Sequence, residues 1–413
     1  MANTLSFIDM VALGSLKYMH EETQFISNVD RQYDKFFAKD GAKIGDTLRV
    51  TYPVQYSTFS GPVMTVQDTI EREGTVVQAS QKGTAFRFTS KEMTLDTSKP
   101  KEVEAFTRDR IYPAMAQISA EIEAEGLSIC TKAVANTVGT AGTPLTTLEI
   151  PGLARARLNQ KIAPKTDRIY MLDSVTMSQI VNGSSGYFND SKEVSHGFKE
   201  GFYKRTSMAD WYECEKMYVH TNGSDVTIST DAAALVVDGS DVIDFHTLTA
   251  AQVALGSVFT LAGVYDVHQE TKLPLGYLKQ WSLKSGGATT GSSTLYEKIY
   301  LTGPYKNCGT ITGADLTPAA FNAAVMTFVG LASTSYREGL MFSPKAFQFV
   351  SAPLASISPN PEEFTTKSFE GLSVSVARQM DITNYRQVFR LDVLYGWAAL
   401  RPEWAVRTIG SAF

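Results

Sequence analysis

Only three cysteines occur among the 413 residues, Cys130, Cys214 and Cys308. They are far apart and odd in number, which excludes a disulfide framework and offers no zinc-ligand spacing. No apolar run approaches the ~20 residues that carry a helix across a bilayer, so no membrane contact is expected. The first lysine is Lys17, and Asp9 interrupts the early apolar residues, so a secretory leader is not expected either. The chain reads as a soluble product of a reducing cytoplasm, and the sequons at Asn182 and Asn222 carry no weight there. Charge is sparse as well: 20% of residues are charged and the net charge is −5. The clustered basic surface with which nucleic-acid binders neutralise phosphates is missing, and any contact with DNA should be weak.

Concentrated chemistry is equally scarce. There is no G-x-S-x-G elbow, no H-E-x-x-H and no G-x-G-x-x-G. The stretch GGATTGSS, residues 286–293, has the outer glycines of a phosphate-binding loop, but Ser292 stands where that loop needs lysine. The five histidines, His20, His196, His220, His246 and His268, are scattered. Asp244 with His246, and Asp266 with His268, would each share one face of a strand. A metal site built from both pairs is conceivable, although solvent-facing ion pairs explain them more simply. The expectation is a chain without catalytic residue, cofactor or metal, and not an enzyme.

What is present is patterned apolar sequence, 43% of the chain, enough for two or three compact units at ~150 residues each. Residues 16–39 read as a helix behind an N-terminal arm, stopped by the glycines of DGAKIGD. In TLRVTYPVQY the apolar side chains Leu48, Val50, Tyr52, Val54 and Tyr56 alternate, and Pro53 makes the strand an edge. GTAFRFTSKEMTL, with Phe86 and Phe88, reads as its partner, giving a long hairpin over 41–97. Two strands alone are marginal in water, so the hairpin needs another surface, and a second copy of the chain could supply it.

Ile111, Met115, Ile118 and Ile122 form one stripe of a helix within 98–135, and Pro113 marks its first turn or a kink. Glu121, Glu123 and Glu125 fall mostly on the solvated side. KTDRIYMLDSVTMSQIV reads as a strand running into a helix capped by Asp173 or Ser174. From about 218 to 335, short strands and polar turns (DVTIS, ALVVDG, SVFTLAGVYDV, YLKQWSL, TLYEKIYL) predict an all-β unit inserted into mixed α/β sequence. Its aromatic residues Tyr277, Trp281 and Tyr296 leave open a carbohydrate-binding or decoration-type virion protein. Near the end, Phe389, Leu391, Val393, Tyr395 and Trp397 alternate with Arg390, Asp392 and Gly396. Pro402 divides this strand from another with Trp404 and Val406, and both are expected to complete a core sheet.

GAKIGDTLRV, IYPAMAQISAEIEAE, GFYKRTSMADWYECEKMYVHTNG, LTAAQVALGSVFTLAGVYDVHQETK and the closing DITNYRQVFRLDVLYGWAALRPEWAV, in that order, resemble the major capsid (coat) proteins of tailed bacteriophages. The likeness is to the short-tailed Salmonella phage type. The fold it implies is α+β: the Hong Kong 97 capsid fold with an inserted antiparallel β-barrel domain. Residues 1–40 would then be an N-terminal arm, 41–97 an extended loop lying over a neighbouring subunit, and 98–135 the spine helix of the peripheral domain. Residues 136–217 would be axial and peripheral core, 218–335 the inserted domain and 336–413 the return to the core. On this likeness Leu48, Val50, Tyr52, Val54, Phe86 and Phe88 belong to the inter-subunit loop, and Leu391, Val393, Tyr395, Trp397 and Trp404 to core strands. The implied partners are copies of the chain itself, in hexamers and pentamers of an icosahedral shell, with a scaffolding protein, a portal protein and a possible decoration protein. The shell would enclose double-stranded DNA and be assembled in the host bacterial cytoplasm. No Lys and Asn pair for covalent cross-linking can be singled out, and none is expected.

Overall fold

The computed structural model describes residues 12–15, 23–31, 47–59, 61–64, 66–77, 80–89, 111–184, 205–206, 209–231, 236–245, 253–285, 292–354, 363–369 and 372–412. The chain divides into two compact units. The first comprises Met1–Val50, Thr75–Gly126 and Gln348–Ala398, and the second Thr51–Gly74, Leu127–Phe347 and Ala399–Phe413.

The first unit is built on a five-stranded sheet. Its path runs Phe347–Ala352, Arg386–Ala399, Leu372–Asp381 and Phe364–Phe369, and Ser80–Thr89 also pairs with Arg386–Ala399. Leu391, Val393 and Tyr395 are fully buried on the central strand, and Trp397 is nearly so. The expected polar face of this strand is only partly realised: Asp392 is buried too, paired with Arg390 at 2.6 Å.

Helix Tyr112–Ala133 begins in this unit with Pro113 in its first turn, where the missing N–H costs nothing. Ile111, Met115, Ile118 and Ile122 are all buried, as their spacing predicts. The glutamates depart from the solvated-face reading. Glu123 is buried and accepts the Phe25 N–H at 2.7 Å. Glu125 accepts the Tyr395 hydroxyl at 2.6 Å and pairs with Lys82 at 2.8 Å, while Glu121 stays half exposed. Of the helix expected over 16–39, Gln24–Asn28 is present. It ends where Val29 turns extended and Asp30 bridges in parallel to Gln348; residues 32–46 lie outside the described residues.

The long hairpin also differs from expectation. Thr47–Thr51 pairs with Glu73–Val77 in a two-stranded sheet, not with the strand that holds Phe86. That strand lies antiparallel to Arg386–Ala399, with Phe86 opposite Phe389 and the rings stacked at 5.8 Å. Alternation fixes which face of a strand is apolar but leaves its partner open, and an aromatic pair across the ladder favours the observed one.

The second unit holds two seven-stranded sheets. One runs Thr137–Val138, Ala405–Ala412, Ser335–Phe342, Arg168–Leu172, Ala209–Glu213 and Arg205–Thr206, with Val219–Thr221 pairing Ser335–Phe342. Tyr170, Leu172, Trp211, Met341 and Val406 pack there with Ala154 and Leu158 of helix Glu149–Gln160. Arg168–Leu172 leads through Asp173 into helix Ser174–Ser184, as predicted, and the Asp173 carboxylate accepts Arg337 at 2.6 Å. The final two strands do not complete one sheet: the turn Pro402–Trp404 sends Ala405–Ala412 into this one. Trp404 lies in that turn, half-buried against the core, rather than on a strand.

The other sheet is all antiparallel and lies within the stretch expected to be inserted. Its order is Ser240–Asp244, Ser292–Ile299, Pro274–Ser285, Val258–Val267, Val325–Phe328 and Thr227–Ser229, with Cys308–Gly309 added on Val258–Val267. The expected ALVVDG strand is displaced, since its described residues 236–239 form coil and a turn before Ser240–Asp244. The two outer strands meet at one bridge, Thr230 with Phe245. Trp281 lies in the core of this sheet with Phe259, Phe321 and Phe328. Its burial takes this ring out of the stacking platform on which the carbohydrate reading depended; Tyr277 and Tyr296 are half-buried.

Candidate assembly surface

Residues 51–74 of the second unit form an extended segment whose described residues between 52 and 72 belong to no strand. Its two arms are joined by side chains and isolated backbone bonds. The Tyr52 N–H donates to Arg72 O at 2.9 Å. The Gln67 amide both accepts the Ser57 N–H (2.9 Å) and donates to Ser57 O (2.8 Å). Beyond these ties the segment carries a row of exposed apolar side chains. Val63, Met64 and Val66 are 77%, 70% and 78% exposed, and Tyr56, Phe59 and Ile70 are more than half exposed. Such a row is uncommon on a monomer surface. Each valine or methionine that becomes fully buried would contribute about 1.5–3 kcal/mol.

The root of the segment is anchored by aromatic residues. The Tyr52 hydroxyl donates to Leu400 O at 2.6 Å. Burial, reinforced by Glu403, pushes this phenol up to about 12, so it remains a donor. Tyr305 holds both arms: its hydroxyl accepts the Gln55 N–H at 3.3 Å and donates to Ile70 O at 2.7 Å. The Arg72 guanidinium lies 4.3 Å from the centre of the Tyr305 ring, 5.7 Å from Tyr300 and 5.9 Å from Tyr52. A cavity of about 480 Å³ opens beside this root, lined by Arg72, Lys272, Glu297, Tyr300, Tyr305 and Glu403 among others.

Of the residues expected to make the inter-subunit hairpin, Val50 is buried and Tyr52 and Val54 are half-buried. Phe86 is half-buried in the first unit's sheet, and the side chains of Leu48 and Phe88 lie outside the described residues. The exposed residues therefore come further along, at 56–70. Alternation stops at Tyr56, and the apolar residues beyond it have no period to reveal them.

Two buried polar clusters hold the second unit together. Lys161, just past helix Glu149–Gln160, contacts both Asp266 oxygens at 2.6 and 2.8 Å. Lys279 lies 3.7 Å from Asp266 and 2.8 Å from Glu297, and the Arg157 guanidinium lies over the Tyr277 ring at 3.0 Å. Burial alone would raise the Asp266 pKa, but Lys161 and Lys279 hold it at about 2. The pairing of Asp266 with His268 is thus not realised: Asp266 faces lysines, and His268 Nδ1 accepts the N–H groups of Glu270 and Thr271; of the other pair, His246 lies outside the described residues. No cluster of three or more potential metal ligands occurs among the described residues.

The second cluster centres on Arg407. It donates to Gly256 O at 2.9 Å, Lys132 O at 2.8 Å and Ser282 Oγ at 3.1 Å, with Glu338 at 3.6 Å. It thereby caps the end of the long helix and ties it to both sheets. Neither cluster could be seen in advance, because its decisive contacts are distant in sequence: 105 residues from Lys161 to Asp266, and 125 or more from Arg407 to Ser282, Gly256 and Lys132.

Residues 220–410 match a phage coat-protein family model, and on that match the chain is a tailed-bacteriophage major capsid protein, a subunit of the icosahedral shell. The model that matches is described as P22 coat protein, gene protein 5, and it spans a little under half of the chain. No curated protein sequence matches the chain. Among solved structures it is similar to a chain of Mycobacterium phage Che8, with a TM-score of 0.49, 11% identity, and coverage of 94% of this chain and 90% of that one. A chain of the cyanophage P-SCSP1u capsid gives 0.45, 9%, 88% and 83%. A chain of the bacteriophage PhiM1 mature capsid gives 0.44, 9%, 94% and 86%.

Proposed function

We propose that residues 56–70 lie across a second copy of the chain and that this contact is a principal joint of the shell. The observation that carries the proposal is the uncovered row Tyr56, Phe59, Val63, Met64, Val66 and Ile70 in a coat protein. The fold is read as the Hong Kong 97 type, supported by the strand-rich α+β architecture and the long helix Tyr112–Ala133. The inserted sheet is read as a barrel closed where Thr230 bridges Phe245. Copies join as hexamers and pentamers around a scaffolding protein, with a portal protein at one vertex, an outer decoration protein, and assembly in the host cytoplasm. The role is structural rather than enzymatic, and the net charge of −5 suits a wall that holds its DNA weakly. The subunits are joined without covalent cross-links, so mature particles dissolved in SDS should migrate at the single-chain mass.

The test is a chain carrying Val63→Asp and Val66→Asp under conditions in which the unsubstituted chain forms particles. A soluble, folded chain without shells, seen by negative-stain microscopy and circular dichroism, is expected. Normal shells from this variant would overturn the proposal.

A further inference from the structure

We propose that Arg72 is the positioning residue of the extended segment: seated among the rings of Tyr52, Tyr300 and Tyr305, it sets the direction in which residues 55–70 leave the second unit, and so how one copy meets the next. The inference rests on the docking role proposed for that segment and adds the contact that aims it. The described residues between 52 and 72 have no strand ladder to stiffen them. Direction must come from the root, where Tyr305 already holds one backbone group from each arm. Arg72 lies against the face of that same ring, two residues after Ile70.

The nature of the contact matters. Arg72 Nε is buried without a hydrogen-bond partner, so attraction between the cation and the ring faces holds the guanidinium in place. A planar guanidinium can lie flat on a ring, whereas a lysine ammonium is a compact, strongly hydrated charge that cannot. Lys272, on the same cavity, is pushed down to about 8 by burial and by the Arg72 and Lys306 charges, which is consistent with a guanidinium fixed at this place.

The test uses the full chain with Arg72→Gln, Arg72→Lys and Tyr305→Phe. Two readouts are hydrogen exchange of residues 52–58 in the unassembled chain and particle form by electron microscopy. Loss of a partly buried cation–ring contact should speed local exchange about tenfold in Arg72→Gln. Tubes, open sheets or shells of altered size should replace regular shells, with Arg72→Lys intermediate. Tyr305→Phe keeps the ring but loses both backbone ties, and it should loosen the segment while leaving global stability nearly unchanged. Unchanged exchange in Arg72→Gln, or regular shells from it, would overturn the inference. The Val63→Asp and Val66→Asp chain separates the two ideas: it should block assembly while exchange at 52–58 in the unassembled chain stays as in the parent.

Discussion

Lys161, Asp266 and Lys279 are almost wholly removed from solvent, so their charges must satisfy one another. Removing one member of such a group leaves the rest uncompensated, which typically costs about 3–5 kcal/mol. Asp266→Asn should therefore lower the unfolding free energy by about 3 kcal/mol in urea titrations near neutral pH. Because the folded pKa of Asp266 is depressed to about 2, its contribution is complete above the ordinary carboxylate range and is lost as pH falls through about 4 toward 2. His220 acts higher on the scale. It is buried against Ser257 Oγ at 3.0 Å, and burial, then the Arg407 charge, pull it from 6.5 to about 3. Between those values the unfolded chain binds more protons, so this contribution is complete above pH 6.5 and falls with pH. Relative to a His220→Gln variant, the natural chain should lose about 1.4 kcal/mol per pH unit between about pH 6 and 5. Parallel stability curves would contradict the assignment. These groups were the least legible in the sequence, because Asp266 stands two residues from a histidine and 105 residues from the lysine it contacts.

At the scale of elements, periodicity served well where one face is buried and poorly where pairing or absence of structure decides. The stripe Ile111, Met115, Ile118 and Ile122 gave the long helix, and the alternation of Leu391, Val393 and Tyr395 gave the central strand. The strand holding Phe86 was recognisable, but its partner was not, because nothing in Ser80–Thr89 distinguishes Thr47–Thr51 from Arg386–Ala399. Gly126 shows how packing overrides propensity. Alanine in a helix interior normally gains about 1 kcal/mol over glycine, yet a Cβ at this position would run into the Trp397 ring. That ring is held between Phe25 at 5.1 Å and Phe349 at 4.7 Å. Gly126→Ala should therefore destabilise the chain by about 1–3 kcal/mol, measurable as a lower thermal midpoint. A rise would mean that the tryptophan moves aside freely.

For the whole molecule, two features define how it is used. Its interior is secured by buried charges such as Arg407, which reaches the end of the long helix and both sheets of the second unit. Its extended segment, in contrast, leaves six large apolar side chains in water, a cost that a shell of identical copies would offset under the docking role proposed for this segment. The resemblance to phage coat proteins was readable from the order of segments in the sequence, and the family match over residues 220–410 agrees with it. Alternation pointed to Val50 and Phe86, which the fold buries or half-buries, whereas the exposed apolar residues at 56–70 have no period by which they could be read.

The most direct measurement is hydrogen exchange of residues 56–70 in the unassembled chain and in the finished shell. Strong slowing of exchange at Phe59, Met64 and Val66 on assembly is predicted. Equal exchange in the two states would show that these side chains stay in water and would contradict the central claim.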